Sequence, residues 1–269
     1  MITIIFGAPG TGKSSKEAHF IKQLYHEQGR AILAESRKRI EEINARCGCS
    51  LSFPKRVPIF SDFPVVIKSG YEKYYETYRV NGFYLGLPND QQEVMFVPPG
   101  SKIFLSEAQR YYDSRKSKTL PGWVSRFYEM HRHYGLDIWM DVQRPNLIDL
   151  NIKELCQHFI EIVKLEHEYD ALGRIVKSRW CCREFDSWNK TERYLNGGEK
   201  TYEETEYVNV GDVFKLYDSH TYFDKFLPTE SRDFCVSAKE FERYKDLYEM
   251  PGEPDTYRSV SDGRRRKDK

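Results

Sequence analysis

The chain lacks a charge bias: 42 Lys and Arg stand against 41 Asp and Glu over 269 residues, a formal net charge of +1. That balance excludes a global electrostatic pull toward nucleic acid or an anionic membrane, so any basic binding surface has to be local. Long apolar runs are missing too, and none approaches the ~20 residues that span a bilayer. The N-terminus shows neither a basic leader nor a cleavage site, so no secretory signal is expected and the chain is read as cytoplasmic. Metal-binding cysteine spacing is absent. Cys47-Gly48-Cys49 and the adjacent pair Cys181-Cys182 lack the two-residue gap of a zinc knuckle, and no His pair lies beside them at ligand spacing. With Cys156 and Cys235 they are expected to be reduced thiols. No internal repeat is visible.

What is present begins with an apolar, β-prone run, Ile2-Thr3-Ile4-Ile5-Phe6, which ends at a glycine and reads as a buried central strand of a parallel sheet. Ser14 to Gln28 reads as a helix closed by Gly29, with Phe20, Ile21, Leu24 and Tyr25 at helical spacing. Ala31-Ile32-Leu33-Ala34 reads as a second strand and Arg37 to Cys47 as a charged helix. The opening is therefore β-α-β, the mark of an α/β sheet. Between 48 and 100 prolines punctuate a less regular stretch. Phe63–Lys68 is expected to be a strand, and Tyr71, Tyr74, Tyr75 and Tyr78 recur at helical spacing. Lys102–Leu105 and Leu136–Val142 are further strands, with helices at Gly122–His133 and Ile152–His158. Phe159–Tyr169 and Arg174–Phe185 alternate around Asp170-Ala171-Leu172-Gly173, which signals a β-hairpin, and Glu203–Val210 adds a strand. Residues 1–158 are read as the core, 159–250 as a small β-rich C-terminal extension, and 251–269 as a polar, basic, disordered tail. The 14% aromatic content is expected to serve mainly packing.

Gly7-Ala8-Pro9-Gly10-Thr11-Gly12-Lys13-Ser14 fits the phosphate-binding P-loop without a mismatch, directly after a strand and before a helix. Glycines let the backbone wrap a phosphate closely, and the loop N–H groups and helix dipole face the anion. Lys13 is expected to reach the β- and γ-phosphates, Ser14 to ligate Mg²⁺, and Ser15 to complete the nucleotide-binding set. Ile103-Phe104-Leu105-Ser106-Glu107 has the form of the second strand of such a site. Most such strands end Asp-Glu, and here Ser106 replaces the Asp. Its hydroxyl can hold a Mg²⁺-bound water but brings no charge, while Glu107 is the candidate for orienting or activating the attacking water. Ile138-Trp139-Met140-Asp141-Val142-Gln143 is a third element, expected to bring Gln143 near the γ-phosphate as a sensor. ATP is expected over GTP, while no residue identifies the base and no Asn-Lys-x-Asp motif occurs.

These elements in order, GAPGTGKS at 7–14, IFLSEAQRYYDSR at 103–115, HRHYGLDIWMDVQRPNLIDLNIKEL at 131–155 and VFKLYDSH at 213–220, give a chain that resembles the zonular occludens toxin (Zot) family over residues 1–225. The resemblance implies a P-loop NTPase with a mostly parallel sheet flanked by helices, acting with ATP and Mg²⁺ in filamentous-phage morphogenesis and export of phage DNA. It implies self-association and phage assembly or host membrane proteins as partners. Ser106-Glu107 then matches the family's Asp-Glu, and Gln143 its polar strand end. Ser106 departs from the pattern, as does Lys153, where arginine is frequent. Members commonly carry a membrane span after this domain and none is seen here, so attachment to the inner face of the membrane is expected through partners. Arg110, Arg115, Arg126 and His131-Arg132-His133 are rival candidates for a cation offered to a neighbour's phosphate. Tyr71 to Tyr84, with Lys73 and Arg79, offers either a packing face or a base-stacking surface for single-stranded DNA. Two other readings stay open: a small-molecule or nucleoside kinase, and a nucleotide-dependent scaffold with little hydrolysis.

Overall fold

The computed structural model describes residues 1–69, 73–82, 85, 93–120, 122–217 and 234–245. Strand β1 (Ile2–Phe6) is buried along its whole length. Its side chains alternate, so Ile2, Ile4 and Phe6 enter one apolar cluster and Ile5 the other, on the opposite face of the sheet. The P-loop follows, and then a single helix, α1 (Lys13–Cys47), of 35 residues. The predicted break at Gly29 and the predicted strand at 31–34 do not occur. Gly29 is buried within the helix, where a Cβ would stand 3.3 Å from Val57 Cγ2, so here glycine permits close approach of a neighbouring segment. The helix ends at Cys47 and is capped by Gly48, whose φ of 62° is the left-handed conformation that glycine favours.

The remaining elements are β2 (Ile59–Ser61), β3 (Val66–Ser69), β4 (Lys73–Glu76), β5 (Tyr78–Arg79), β6 (Glu93–Met95), β7 (Lys102–Leu105), α2 (Gly122–Met130), β8 (Asp137–Val142), α3 (Leu150–Leu155), β9 (His158–Tyr169), β10 (Ile175–Phe185), α4 (Trp188–Leu195), β11 (Glu203–Val210), β12 (Cys235–Ser237) and α5 (Ala238–Lys245). Tyr74, Tyr75 and Tyr78 lie in short strands where a shared helical face was expected, while Tyr71 and Tyr84 fall outside the described residues. Tyr75 is buried against Tyr25 with ring centroids 4.2 Å apart, and Tyr78 is buried against Phe60. Packing accounts for both, and Tyr74 alone of the three is exposed. The tail from 251 lies outside the described residues.

The main sheet runs β11-β10-β9-β1-β8-β7-β2-β5. From β9 through β5 every pairing is parallel, and β10 and β11 add antiparallel strands at one edge. The expected fold class is thus observed. The C-terminal hairpin continues this sheet, because β9 pairs directly with β1 at Thr3↔His158 through Phe6↔Glu161. Strand β8 lies between β1 and β7, so the polar ends of all three emerge side by side. Phe104 and Trp139, paired across β7 and β8, stack at 4.6 Å and 4° under α1 and fix that register. Cys47, Cys49, Cys156, Cys181 and Cys182 are free thiols.

The continuity of α1 is testable. Gly29→Pro removes a helical N–H and sets the ring against the carbonyl one turn back, a cost of about 3 kcal/mol or more inside a helix. A marked drop in the urea midpoint is expected. Unchanged stability would mean that the chain turns at Gly29.

Candidate functional site

The C-terminal ends of β1, β7 and β8 deliver the functional residues to one place. In the P-loop, Gly7, Gly10 and Gly12 all have positive φ. Gly12 leaves least room for a side chain: a Cβ would lie 2.5 Å from Leu165 Cδ2 and 2.8 Å from Ser15 Oγ. The Lys13 ammonium donates to the loop's own carbonyls, Gly7 at 3.2 Å and Ala8 at 3.3 Å. Thr11 Oγ1 donates to Ala8 O, and Ser15 Oγ to Gly12 O at 2.7 Å, so Ser15 braces the loop from within the first helical turn. Trp180, from β10, donates its indole N–H to Gly12 O at 3.2 Å, joining the C-terminal hairpin to the P-loop.

The Ser14 hydroxyl lies 3.3 Å from Ser106 Oγ and donates to Asp141 Oδ2 at 3.1 Å. Ser106 Oγ donates to the same carboxylate oxygen at 2.9 Å, and the Glu107 N–H donates to Asp141 Oδ1 at 2.8 Å. Asp62, in the turn after β2, accepts the Ser106 N–H at 2.8 Å and the Tyr111 hydroxyl at 3.1 Å. Glu107 has φ 50°, the one positive value outside glycine among the described residues. This strained backbone ties the residue after Ser106 to Asp141. The Glu107 carboxylate accepts from the Gln109 side-chain amide.

Of the residues singled out in the sequence, Ser14 and Ser106 meet directly, Lys13 lies against the P-loop carbonyls, and Glu107 enters through its backbone N–H. Gln143 is exposed at the bend after β8, and the polar group that β8 sends into the cluster is Asp141. Asp62 and Glu17 were missed as well. Asp141 had a visible signal, since an acid inside an otherwise apolar buried strand requires a partner. Glu17 lies four residues, one helical turn, after Lys13. Asp62 had no signal, because its approach to β7 depends on the path of residues 54–66. All three are buried. Burial first, then the charges of Asp141 and Asp62, hold the Glu17 carboxyl well above the ordinary range. Burial likewise raises Asp62 and Asp141, against the Ser106 N–H in the first case and the Glu107 N–H in the second.

Such a set suits a hard divalent cation. Hydroxyl and carboxylate oxygens are Mg²⁺ ligands or partners of its waters, and the ion would offset the surplus of buried acids. Among the described residues no three acidic, His or Cys side chains form a complete metal cage. Mg²⁺ here would therefore draw its other ligands from water and a nucleotide, as it does at many phosphate sites.

Among the candidate cations, the positive charge of Arg110 acts on Asp62. His131 is buried near the start of β8, where its Nδ1–H donates to Tyr128 O at 2.5 Å. Arg115 is exposed and paired with Asp113 at 2.8 Å. Arg110, Arg126, Arg132 and His133 are exposed. Lys153 stands 4.2 Å from the Trp188 ring centroid.

The family profile described as Zonular occludens toxin (Zot) matches residues 1–222. The chain belongs to the Zot family. No curated protein sequence matches it. Among solved structures, the chain is similar to the N-terminal domain of zonular occludens toxin from Neisseria meningitidis, with 17% identity over 81% of this chain and 98% of that one, at a TM-score of 0.43. It is also similar to the genome packaging NTPase of Sulfolobus turreted icosahedral virus 2 in complex with ATP-gammaS, with 10% identity over 78% of this chain and 97% of that one, at a TM-score of 0.37. No helix among the described residues of this Zot-family chain is long and apolar enough to cross a membrane.

Behind the P-loop, Lys16 is fully buried without a hydrogen-bond acceptor, 4.3 Å from the Phe20 ring centroid and 2.6 Å from that of Tyr207. Aromatic faces favour a cation by ~0.5–2 kcal/mol, whereas removing an ion from water costs several. Desolvation prevails and lowers the Lys16 pKa from 10.5 to about 6, with Cys182 and Glu184 acting weakly in the other direction. Between those two values the folded chain binds fewer protons here than the unfolded chain, so this group makes stability rise with pH. Lys16→Met should therefore be more stable than the wild type at pH 7, by a margin that shrinks toward pH 10. Urea midpoints across that range decide it, and a margin that grows with pH would contradict the burial argument.

Proposed function

We propose that this chain is a Mg²⁺-dependent P-loop ATPase of the Zot type that works in filamentous-phage morphogenesis and the export of phage DNA. The observation that carries the catalytic part is the Ser14 hydroxyl, at the end of a left-handed glycine loop, within hydrogen-bond reach of both Ser106 and Asp141. Family membership supports the biological setting. Self-association and assembly-protein or membrane-protein partners belong to the same reading.

In this account the loop N–H groups and the start of α1 receive the phosphate chain. The Lys13 ammonium leaves the carbonyls of Gly7 and Ala8 for the terminal phosphate oxygens, trading two neutral acceptors for a stronger charged one. Mg²⁺, when bound, supplies charge neutralisation at the β- and γ-phosphates. Ser14 would be its protein ligand, and Ser106 would orient its water. Glu107 turns from Gln109 toward the attacking water, orients it and accepts its proton. The water oxygen joins the γ-phosphorus, the β–γ bridging bond breaks, and its electron pair leaves with ADP. No acceptor other than water is required, which distinguishes this reading from a kinase.

Two substitutions test it. Lys13→Ala should strongly weaken Mg·ATP binding in calorimetry. Glu107→Gln should keep that binding and lose phosphate release by ~100-fold or more, the scale of general-base contributions. Wild-type affinity in the first, or wild-type turnover in the second, would remove the respective assignment.

A further inference from the structure

Strands that follow a P-loop domain's metal site usually carry their acid on the strand where Ser106 stands. In this chain that position has a neutral hydroxyl, yet a carboxylate is present in the same space. It comes from β8, the strand between β1 and β7. Asp141 Oδ2 receives hydrogen bonds from both Ser14 Oγ and Ser106 Oγ, at 3.1 and 2.9 Å, and Oδ1 is held by the Glu107 N–H at 2.8 Å. One carboxylate thus touches the P-loop serine, the residue in the usual acid position and the backbone of the candidate base. Asp141 is fully buried, and its hydrogen bonds come from two hydroxyls and a backbone N–H. The positive charge of Lys13 acts on it.

We infer that Asp141 and Ser106 are an exchanged pair, in which Asp141 supplies from β8 the carboxylate that holds the Mg²⁺ of Mg·ATP, and Ser106 supplies the neutral hydroxyl. The inference rests on the P-loop ATPase reading above. The exchange keeps one acid and one hydroxyl at the site while moving the charge one strand closer to β1. It also explains how the site dispenses with an acid at 106. A carboxylate there would be the fourth in a buried group that already holds Asp62, Asp141 and Glu17. Ser106→Asp alone adds like charge without a new counter-ion.

The test reads metal uptake directly. Mn²⁺ in place of Mg²⁺ is titrated, by the paramagnetic resonance of the free ion, into the full chain saturated with a non-hydrolysable ATP analogue. Nucleotide affinity in EDTA is measured in parallel by calorimetry. Asp141→Asn should weaken Mn²⁺ binding by ~10–100-fold, the usual effect of losing a partner of a metal site, while metal-free nucleotide affinity is retained. The double exchange, Ser106→Asp with Asp141→Ser, should recover most of the loss. Wild-type Mn²⁺ affinity in a folded Asp141→Asn chain, or an exchange variant as weak as Asp141→Asn, would overturn the inference. Failure of the P-loop reading looks different: the wild type itself would bind no nucleotide. Should Asp141→Asn not fold, Fe²⁺ with ascorbate and peroxide maps the metal in the wild type. Backbone cuts at the end of β8 as well as in the P-loop are expected, and cuts that spare β8 would overturn the assignment.

Discussion

The buried carboxylate of Asp141 is the junction on which the site's architecture depends. A carboxylate without water needs several donors, and hydrogen bonds to a charged group contribute roughly 1.5–3 kcal/mol each. Asp141 obtains them from Ser14, Ser106 and the Glu107 N–H. Each donor belongs to a different part of the chain or controls a different group. Satisfying one acid therefore aligns the P-loop helix, the end of β7 and the strained backbone of Glu107.

The sheet makes that junction possible. Parallel pairing with β8 between β1 and β7 sends three polar strand ends in one direction, and the Phe104–Trp139 stack holds the register. On the other side of β1, β9 begins a hairpin whose Trp180 reaches the P-loop backbone at Gly12. The hairpin thus braces the loop as well as the sheet edge. The helix after the loop is long because Gly29 serves close packing against Val57, and Gly48 supplies the terminating conformation.

Much of this was legible in the sequence. The P-loop, Glu107, most strands and the hairpin are set by local pattern: a motif in context, apolar runs, and alternation around a turn. Gly29 misled because glycine's two uses, capping and close approach, look alike until the neighbouring segment is known. Tyr74, Tyr75 and Tyr78 misled because a three-residue or four-residue recurrence also arises across successive short strands. Asp141 was readable as an anomaly, an acid in a buried apolar strand, but its partner was not. Ser106 lies 35 residues away, and only the strand order brings them together. Glu17 stands one helical turn beyond Lys13 in α1, and Asp62 joins the same cluster through tertiary packing alone.

The most direct measurement is anomalous diffraction from crystals of the full chain grown with Mn²⁺ and a non-hydrolysable ATP analogue. The account predicts a single strong Mn²⁺ peak between the analogue's terminal phosphates and the Ser14 hydroxyl, with Asp141 as the nearest carboxylate. A peak held by other residues, or a nucleotide bound away from Gly7 to Ser14, would contradict it.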